Sequence, residues 1–478
     1  MMPDFTLLIP ELVLTGFLLL LLIGEIIKGK SCKPCAGWLI AVAGCLTAAG
    51  LSIFASKSGS TFNGMFVSDA FASYFKAFFA LSMAAIIPMS REFFHKTEGQ
   101  KNAAKFGEFL LILIASLIAL FFLVSSNDLL LIFVTLETFT LSLYILAAYL
   151  KKDMPSIEAG IKYLIMGSIA SAFVIYGIAI IYTSSGTTTL AGIREFFLTS
   201  STNNMMILGI ILIVSGLGFK IAAVPFQFWV PDVYEGAPTP VTAYLAVASK
   251  AAGFALLMRL MATAFGPFNQ QPLFAILSAL TLVYGNLGAL AQTNIKRLFG
   301  YSSIGHAGYL MMGIASGKLA GTEAILYYLT GYAFTSLCAF WVITLAGNAL
   351  ESDRIDSYRG LTKRSPFLAG AMFIALLSLA GVPPLAGFTG KFLVLYSAVQ
   401  SGLNWLVVLG ALGVAVSLYY YLSIVRVMYF EEPKHTSAIP VPALARGIIS
   451  FLIIGIILIG FWQAPFWNAV ETAAKSLF

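Results

Sequence analysis

The chain has 478 residues, of which 59% are hydrophobic and 10% are charged, and its formal net charge is +7 at pH 7. This composition excludes a soluble globular protein. Repeated apolar runs of about 20 residues, each long enough to cross a ~30 Å hydrocarbon core, predict a polytopic α-helical membrane protein. A β-barrel is disfavoured because barrel strands alternate polar and apolar residues, whereas these runs are continuous.

The apolar runs and the residues that interrupt them predict 14 transmembrane helices, because backbone groups in lipid must be hydrogen-bonded within the segment. In chain order they lie near residues 5–27, 36–56, 68–90, 106–125, 128–150, 156–183, 205–229, 239–263, 272–292, 298–316, 321–347, 367–398, 403–430 and 444–467.

The basic residues predict the orientation of these helices. Cytoplasmic loops hold an excess of Lys and Arg. The odd-numbered loops carry 17 such residues, and the even-numbered loops and the C-terminal tail carry only 4. Both termini are therefore expected to face away from the cytoplasm. Since the basic residues are scattered over short loops, they indicate the membrane surface as partner and not a nucleic acid.

Seven basic residues remain inside the predicted helices. Arg259 and Arg426 lie near helix ends, where a long side chain can snorkel to water, and Lys76 lies about two turns into its helix. An ionisable group at the bilayer centre costs at least ~2.5–3.5 kcal/mol and is by default a functional-site hypothesis. The better-buried candidates are Lys162, Lys220, Lys250 and Lys391.

Two predicted helices are interrupted in matching ways. The seventh contains the sequence AAVP at 222–225 and the twelfth contains AGVP at 380–383, each close to a lysine. Paired broken helices in the two halves of a chain are typical of transporters built from inverted repeats. An offset of five helices reverses the chain direction, so helices 4–8 and 9–13 are predicted to be inverted repeats, with Lys391 as the mirrored counterpart of Lys220. Two independent proline kinks remain the alternative.

This interpretation divides the chain into four parts. Residues 1–105 form an N-terminal three-helix segment, 106–265 the first repeat, 266–431 the second repeat and 432–478 the last helix. The loops are too short for a folded domain outside the membrane, so chemistry that requires one must come from partners.

Buried groups of opposite charge suit proton transfer. Glu137 lies about nine residues into the fifth helix, roughly 14 Å deep, and Lys250 lies at a comparable depth in the eighth. Burial disfavours the charged form of each group, while proximity to an opposite charge restores it. A pair of this kind has two states, because the lysine keeps its proton beside the carboxylate and tends to release it when the two separate.

His306, in the sequence YSSIGHAGY, carries the side chain whose ordinary pKa lies nearest to working pH. A hydrogen-bonded packing role is the alternative, but the company of buried lysines favours a relay. Lys162 is shallower, so a relay role and snorkelling both remain open. Asp232 and Glu235 follow the seventh helix in a predicted cytoplasmic turn, either as solvated turn residues or as groups for proton uptake.

Several chemistries are missing from the sequence. It contains no P-loop or dinucleotide-binding glycine motif, no haem-attachment motif and no iron–sulfur cysteine spacing. Cys32 and Cys35 form a CKPC sequence without a second Cys/His pair. Because a structural zinc needs four ligands, a reduced, solvated loop is favoured over a metal site. No cofactor or metal is expected on this chain.

Four motifs in the same order resemble the antiporter-like membrane subunits of respiratory complex I. The resemblance covers nearly the whole chain. It implies that Glu137 and Lys220 form the ion pair of a first half-channel, that Lys250 passes the proton laterally with His306 downstream, and that Lys391 serves a second half-channel. The motifs are TLETFTLSLYILAAYL, GFKIAAVPFQFWVPDVYEGAPTP, NIKRLFGYSSIGHAGYLMMG and SLAGVPPLAGFTGKFLVL.

The siblings within this family differ at two features of the sequence. One sibling type has glutamate at the position of Lys391. Another carries a long lateral helix after its last spans, for which the end of this sequence at Phe478 leaves no room. Both features favour the third type.

The resemblance implies a proton-translocating subunit of a respiratory NADH:quinone oxidoreductase in the bacterial cell membrane. The expected partners are the neighbouring membrane subunits and the peripheral redox arm, which would bind NADH, FMN, iron–sulfur clusters and quinone, so the enzyme activity belongs to the complex. The alternatives are a subunit of an Mrp-type sodium/proton antiporter or of a membrane-bound hydrogenase, and a structural spacer whose buried charges only fix helix packing.

Overall fold

The computed structural model describes residues 3–28, 37–55, 57–97, 103–199, 204–317, 319–433 and 437–478. Cys32 and Cys35 lie outside these ranges. The described chain is almost entirely helical. Its helices are α1 (Ile9–Lys28), α2 (Gly37–Phe54), α3 (Ala70–Thr97), α4 (Ala103–Ser125), α5 (Leu129–Ala147), α6 (Met154–Ser185), α7 (Leu190–Thr199), α8 (Asn204–Ile221), α9 (Trp229–Gly236), α10 (Thr239–Tyr244), α11 (Lys250–Thr263), α12 (Gln271–Leu290), α13 (Ile295–Ala315), α14 (Leu319–Leu350), α15 (Leu361–Arg364), α16 (Pro366–Ala380), α17 (Ala386–Gln400), α18 (Asn404–Phe430), α19 (Ala443–Phe461) and α20 (Ala464–Lys475).

The predicted all-α membrane fold is confirmed. Within the described residues, 12 helical segments are long and apolar enough to cross a membrane. The two other predicted spans also coincide with helices, but α13 is richer in polar residues, and the twelfth span is divided into the shorter helices α16 and α17. A short antiparallel hairpin joins α2 to α3, with strands Gly59–Thr61 and Phe66–Ser68.

Both predicted breaks are present. The first lies between α8 and α9, where Ala222 adopts a left-handed backbone conformation with φ 64°. The second lies between α16 and α17, where Gly381 has φ 89°. The left-handed residue ends the helix because it turns the chain away from the helical path.

Local capping fixes two helices that carry site residues. Asp128 accepts hydrogen bonds from the backbone N–H groups of Leu130 and Leu131 at the start of α5. Asn294 does the same for the first backbone N–H groups of α13. Side-chain oxygens at this position satisfy N–H groups that lack a partner in the helix. They therefore define where the helices of Glu137 and His306 begin.

The eighth predicted span consists of three helical pieces in sequence. After α10, residues Leu245–Ser249 form a π-helical turn, and α11 begins at Lys250. The segment Thr239–Thr263 is buried along nearly its whole length. α13 packs against α9, α12, α14 and α17 and is also almost completely buried. These two segments form the centre of the helix bundle.

Candidate functional site

Lys220 lies in the last turn of α8, directly before the first break. Its residue surface is only 6% exposed, and Nζ has no hydrogen-bond partner among the described residues. Two aromatic faces lie below the ammonium group, with Nζ at 5.5 Å from the Phe139 ring centroid and 5.6 Å from that of Tyr163. Cation–π contacts stabilise a charged ammonium but do not replace a hydrogen bond. Because no hydrogen bond fixes it, the Lys220 ammonium group is able to exchange one partner for another.

Glu137 does not form the ion pair that the resemblance implies. Its Oε1 accepts a hydrogen bond from Ser171 Oγ at 2.5 Å, and its side chain is half-buried. Across the described part of the chain, no ion contact joins Glu137 to Lys220, although Phe139 of the same helix lies against the ammonium group. In the structure the Glu137 carboxylate and the Lys220 ammonium group thus lie in the same region without forming an ion pair.

A group of buried hydroxyls lies between Glu137 and the centre of the bundle. Tyr144 and Tyr163 meet edge to face with ring centroids 4.9 Å apart, and Tyr163 stacks on Trp229 at 4.6 Å. The Tyr144, Tyr163 and Ser249 hydroxyls have no hydrogen-bond partner within the described ranges. Buried polar atoms are rarely left unpaired in proteins. Tyr163, whose ring faces Lys220, and its neighbour Tyr144 therefore place unpaired polar atoms in the region of the ammonium group.

Lys250 follows the π-helical turn and is held by α13. Its Nζ donates to both the carbonyl oxygen and the hydroxyl of Ser303. The Ser303 hydroxyl also lies 3.1 Å from the Tyr234 hydroxyl. The Tyr332 ring lies below the ammonium group, 5.5 Å from Nζ to the centroid. Lys250 has no carboxylate beside it in the described chain, so its neighbours are groups that can accept or donate protons without carrying a fixed charge.

His306 lies between two tyrosines that the sequence does not place near it. Nδ1 is 2.6 Å from the Tyr328 hydroxyl and Nε2 is 3.2 Å from the Tyr421 hydroxyl, which also contacts Ser302. Both ring nitrogens thus have partners that can act as donor or acceptor. Tyr328 and Tyr421 lie on other helices, far away in sequence, and no local pattern marks them.

Lys391 lies on α17, after the second break, and points back at the end of α16. Its Nζ donates to the carbonyl oxygens of Leu379 at 2.8 Å and Ala380 at 3.1 Å. These carbonyls belong to the last turn of α16, whose terminal carbonyls favour a positive charge. The Tyr309 ring lies 5.1 Å from Nζ. Lys391 therefore completes the hydrogen bonding of the broken helix.

The two breaks match in backbone geometry, but their lysines do not. At the first break, the backbone N–H of Ala223 donates to the carbonyl oxygen of Gly218 at 2.8 Å. At the second, the N–H of Val382 donates to the carbonyl oxygen of Leu377 at 3.0 Å. Donor and acceptor of the second bond each lie 159 residues after their counterparts in the first. At this offset Lys220 corresponds to a leucine, and Lys391 corresponds to Asp232. The expectation that Lys391 mirrors Lys220 is therefore wrong in position: one lysine precedes its break and the other follows it.

Lys162 is partly exposed, with a side chain that is 38% accessible. Its Nζ lies 2.7 Å from both Glu158 Oε1 and Asp232 Oδ2. Arg297 contacts Asp232 from the other side at 2.6 Å. Although partial burial raises it, the hydrogen bonds from Lys162 and Arg297 hold the pKa of the Asp232 carboxyl below its ordinary value. Lys162 thus belongs to an ion-pair cluster at one end of the bundle.

Sequence reasoning missed two buried ion pairs, one within the N-terminal segment and one that joins this segment to α11. Lys76 Nζ lies 2.6 Å from Glu11 Oε1, with both side chains almost fully buried. Arg259 does not snorkel: its guanidinium forms two hydrogen bonds to Asp69, at 2.9 and 3.0 Å, and is buried. The available signal for Glu11 was an acidic residue near the start of a mostly apolar first helix. Arg426 is exposed, as expected for a helix-end residue.

The described residues contain no group of three or more His, Cys, Asp or Glu side chains that could hold a metal ion. The titratable groups of the expected relay are instead three lysines and one histidine, with serine and tyrosine hydroxyls beside Lys250 and His306. Such groups can hold and pass protons.

Comparisons with known proteins agree with this architecture. Residues 126–417 match the family described as NADH:quinone oxidoreductase/Mrp antiporter, TM. NADH-quinone oxidoreductase subunit N of Desulforamulus reducens is 38% identical to this chain over 439 residues, which cover 91% of each protein.

Solved structures give the same result. A chain of respiratory complex I from Thermus thermophilus with bound aureothin superposes with a TM-score of 0.83 at 31% identity, covering 97% of this chain and 100% of that one. A chain of the Mrp complex from Dietzia sp. has a TM-score of 0.86, covering 98% and 97%, but at 18% identity this likeness concerns the fold alone. The chain belongs to the NADH:quinone oxidoreductase/Mrp antiporter family and groups with its subunit N members.

Proposed function

We propose that this chain is a proton-translocating membrane subunit of a respiratory NADH:quinone oxidoreductase. The observation that carries the proposal is the set of buried ionisable groups along the bundle interior, Lys220, Lys250, His306 and Lys391, each at most 6% exposed. Among described residues, none of the four lies in an ion pair. Because unpaired buried charges are costly, such a set is retained for a function that needs protons to be held and released.

The proposed path begins at Lys220 and ends at Lys391. Lys220 alternates between Glu137 and the polar interior lined by Tyr163 and Ser249, because a carboxylate partner favours the charged lysine and separation favours release. Ser249 directly precedes Lys250, which would receive the proton. Ordered water would connect the hydroxyls that lack a protein partner, since a buried water typically makes about three hydrogen bonds to such groups.

From Lys250 the path continues through α13 to the second half. Ser303, the acceptor of Lys250, lies one turn of helix before His306. His306 and its two tyrosines would then pass the proton toward Lys391, with Tyr309 beneath it. Hydroxyl and imidazole groups suit this step because each both donates and accepts. Lys162 would lie at the cytoplasmic end, where protons are taken up.

The orientation and location belong to the same proposal. The 17 basic residues in odd-numbered loops, against 4 in the even-numbered loops and the C-terminal tail, support termini outside the cytoplasm, in the inner membrane of a bacterium. The matching backbone hydrogen bonds at the two breaks support inverted repeats at 106–265 and 266–431. The N-terminal segment 1–105 precedes these repeats, and the last helix, at 432–478, follows them. NADH, FMN, iron–sulfur clusters and quinone would be bound by partner subunits, which supply the energy for pumping.

The proposal is tested in the assembled complex, reconstituted into proteoliposomes and driven by NADH. Lys220→Ala is expected to lower the initial rate of proton pumping at least about tenfold, because proton relays of this kind contribute factors of that size or more. Lys363→Ala is the matched control, since its pair with Glu432 is exposed. Intact pumping by an assembled Lys220→Ala complex would support a structural spacer and contradict the proposal.

A subunit of an Mrp-type sodium/proton antiporter is the second candidate, favoured by the fold likeness to the Dietzia Mrp complex. Sodium-dependent proton flux in a preparation without redox subunits would favour it. Co-purification of nickel–iron subunits, instead of flavin and iron–sulfur subunits with NADH activity, would indicate a membrane-bound hydrogenase.

A further inference from the structure

The half-helix α9 is fastened to α13 by polar contacts along its length. Arg297 Nη1 reaches both Asp232 Oδ1 at 2.6 Å and Glu235 Oε2 at 3.0 Å. Lys296 Nζ donates to Ala237 O at 3.1 Å, just beyond the end of α9. The chain from Asp232 to Ala237, less than two helical turns, is thus held by two neighbouring basic side chains at the start of α13. Movement of either helix must break or carry these contacts.

The same half-helix reaches the acceptor of Lys250. Tyr234, between the two acidic residues of α9, lies 3.1 Å through its hydroxyl from the hydroxyl of Ser303. The backbones also meet closely, because a Cβ at Gly300 would lie 3.2 Å from Pro231 Cα. A shift of α9 relative to α13 would therefore change the position of Ser303 relative to Lys250.

Asp232 lies where three helices meet. Its Oδ1 contacts Arg297 of α13, and its Oδ2 contacts Lys162 of α6 at 2.7 Å. The side chain is 30% accessible, which leaves it partly shielded from solvent screening. Glu158 contacts the same Lys162 but lies on α6 itself and is 65% exposed. Asp232 thus links α6 to α13 through α9, while Glu158 links α6 only to itself.

The comparison of the two breaks supports a role for this position. Asp232 stands at the place in the first half that Lys391 occupies in the second, given the common offset of the backbone hydrogen bonds. Lys391 bonds the carbonyls of the half-helix before its break. Asp232 instead bonds cations on neighbouring helices. In each half, the half-helix that follows the break therefore has a charged side chain at this position that bonds a neighbouring helix. The charge is negative in the first half and positive in the second.

We infer that Asp232 is a positioning residue for proton transfer: it holds α9 against α6 and α13 so that Ser303 stays in contact with Lys250. The inference rests on the proposed function, because it concerns the efficiency of the same relay. Asp232 does not itself carry the proton in this role. Its effect reaches Lys250 through the Arg297 contact and through the Tyr234–Ser303 contact on the same half-helix.

The test compares Asp232→Asn, Asp232→Glu and the control Glu158→Gln in assembled complex in proteoliposomes. NADH-driven proton pumping is divided by NADH oxidation with an artificial acceptor that bypasses quinone, so that a loss of assembled complex cancels. Asp232→Asn is expected to lower this ratio about fivefold or more, the lower end of coupling between sites. Asp232→Glu keeps the charge and is expected to retain at least about half of the ratio, and Glu158→Gln to leave it unchanged.

Equal ratios for Asp232→Asn and wild type would overturn the inference, as would equal losses in Asp232→Asn and Glu158→Gln. If Asp232→Asn does not assemble, Tyr234→Phe decides the question, because it removes the hydroxyl that contacts Ser303 without changing charge. An unchanged ratio of pumping to NADH oxidation in Tyr234→Phe would then contradict the inference, and a lowered ratio would support it. Lys220→Ala, measured in the same preparation, separates a failure of this inference from a failure of the proposed function. Normal pumping by Lys220→Ala would contradict the proposed function itself.

Discussion

Removing one partner of the Glu11–Lys76 pair should destabilise the N-terminal segment far more than removing both. Glu11 is fully buried and Lys76 is 2% exposed. Apart from Lys76, the Glu11 carboxylate has no hydrogen-bond partner in the described chain. Lys76→Met therefore leaves a buried carboxylate with no compensation, while the double variant Glu11→Gln/Lys76→Met leaves no charge at all.

The magnitude follows from the geometry. At 2.6 Å and an effective dielectric constant of 20, the attraction within the pair is about 6 kcal/mol, which is similar to the cost of desolvating the two ions. The intact pair thus adds little net stability. Breaking it typically costs ~3–5 kcal/mol. The loss of stability has an upper limit, because the folded chain can avoid a buried charge by protonating the carboxylate. For a carboxyl group with an ordinary pKa, protonation at pH 7 costs roughly 3.7 kcal/mol.

The assay is unfolding in mixed micelles with increasing SDS, followed by fluorescence of the six tryptophans. Lys76→Met should lose about 3–4 kcal/mol at pH 7, and the double variant less than about half of that. Lys363→Met, at an exposed pair, should change stability by less than about 1 kcal/mol. A Lys76→Met loss no larger than that of Lys363→Met, or a double variant less stable than the single one, would refute the reasoning.

Two further predictions concern a buried hydroxyl and a helix crossing. Tyr421→Phe keeps the ring but removes the hydroxyl 3.2 Å from His306 Nε2, and should lower NADH-driven pumping about five- to tenfold, the equivalent of one hydrogen bond; unchanged pumping would exclude this tyrosine from the relay. Gly177→Ala would place a Cβ 2.7 Å from Gly209 O, where α6 crosses α8, and should cost ~1–3 kcal/mol in the SDS titration. Gly50→Ala is its control, because a Cβ there has nothing within 4 Å, and a similar loss in both variants would contradict the packing argument.

Periodicity and breakers predict the long helices of the bundle, but not the short helices α7, α9 and α15, the second of which carries Asp232. The apolar runs marked the spans, and the two A-x-V-P sequences marked the places where α8 and α16 end. This succeeded because a bilayer requires every span to satisfy its own backbone hydrogen bonds. α13 coincides with the tenth predicted span, although it is richer in polar residues than the clearest spans.

Contacts between helices could not be predicted in the same way. Asp232 was placed in a turn, but its partners Lys162 and Arg297 lie 70 and 65 residues away in sequence. The open arrangement of Glu137 and Lys220 depends on a competing hydrogen bond from Ser171, which no spacing rule reveals. Arg259 was expected to snorkel because it lies near a helix end, but Asp69 at the start of α3 gives it a buried partner instead.

The central claim is that protons cross this subunit through its buried lysines and histidine. Lys250 lies between the two broken helices and depends on Ser303 for its hydrogen bonds, so its replacement tests the claim most directly. The measurement is the initial rate of NADH-driven proton pumping per assembled complex in proteoliposomes with Lys250→Met. We expect a fall of at least about tenfold; pumping at the wild-type rate would contradict the account.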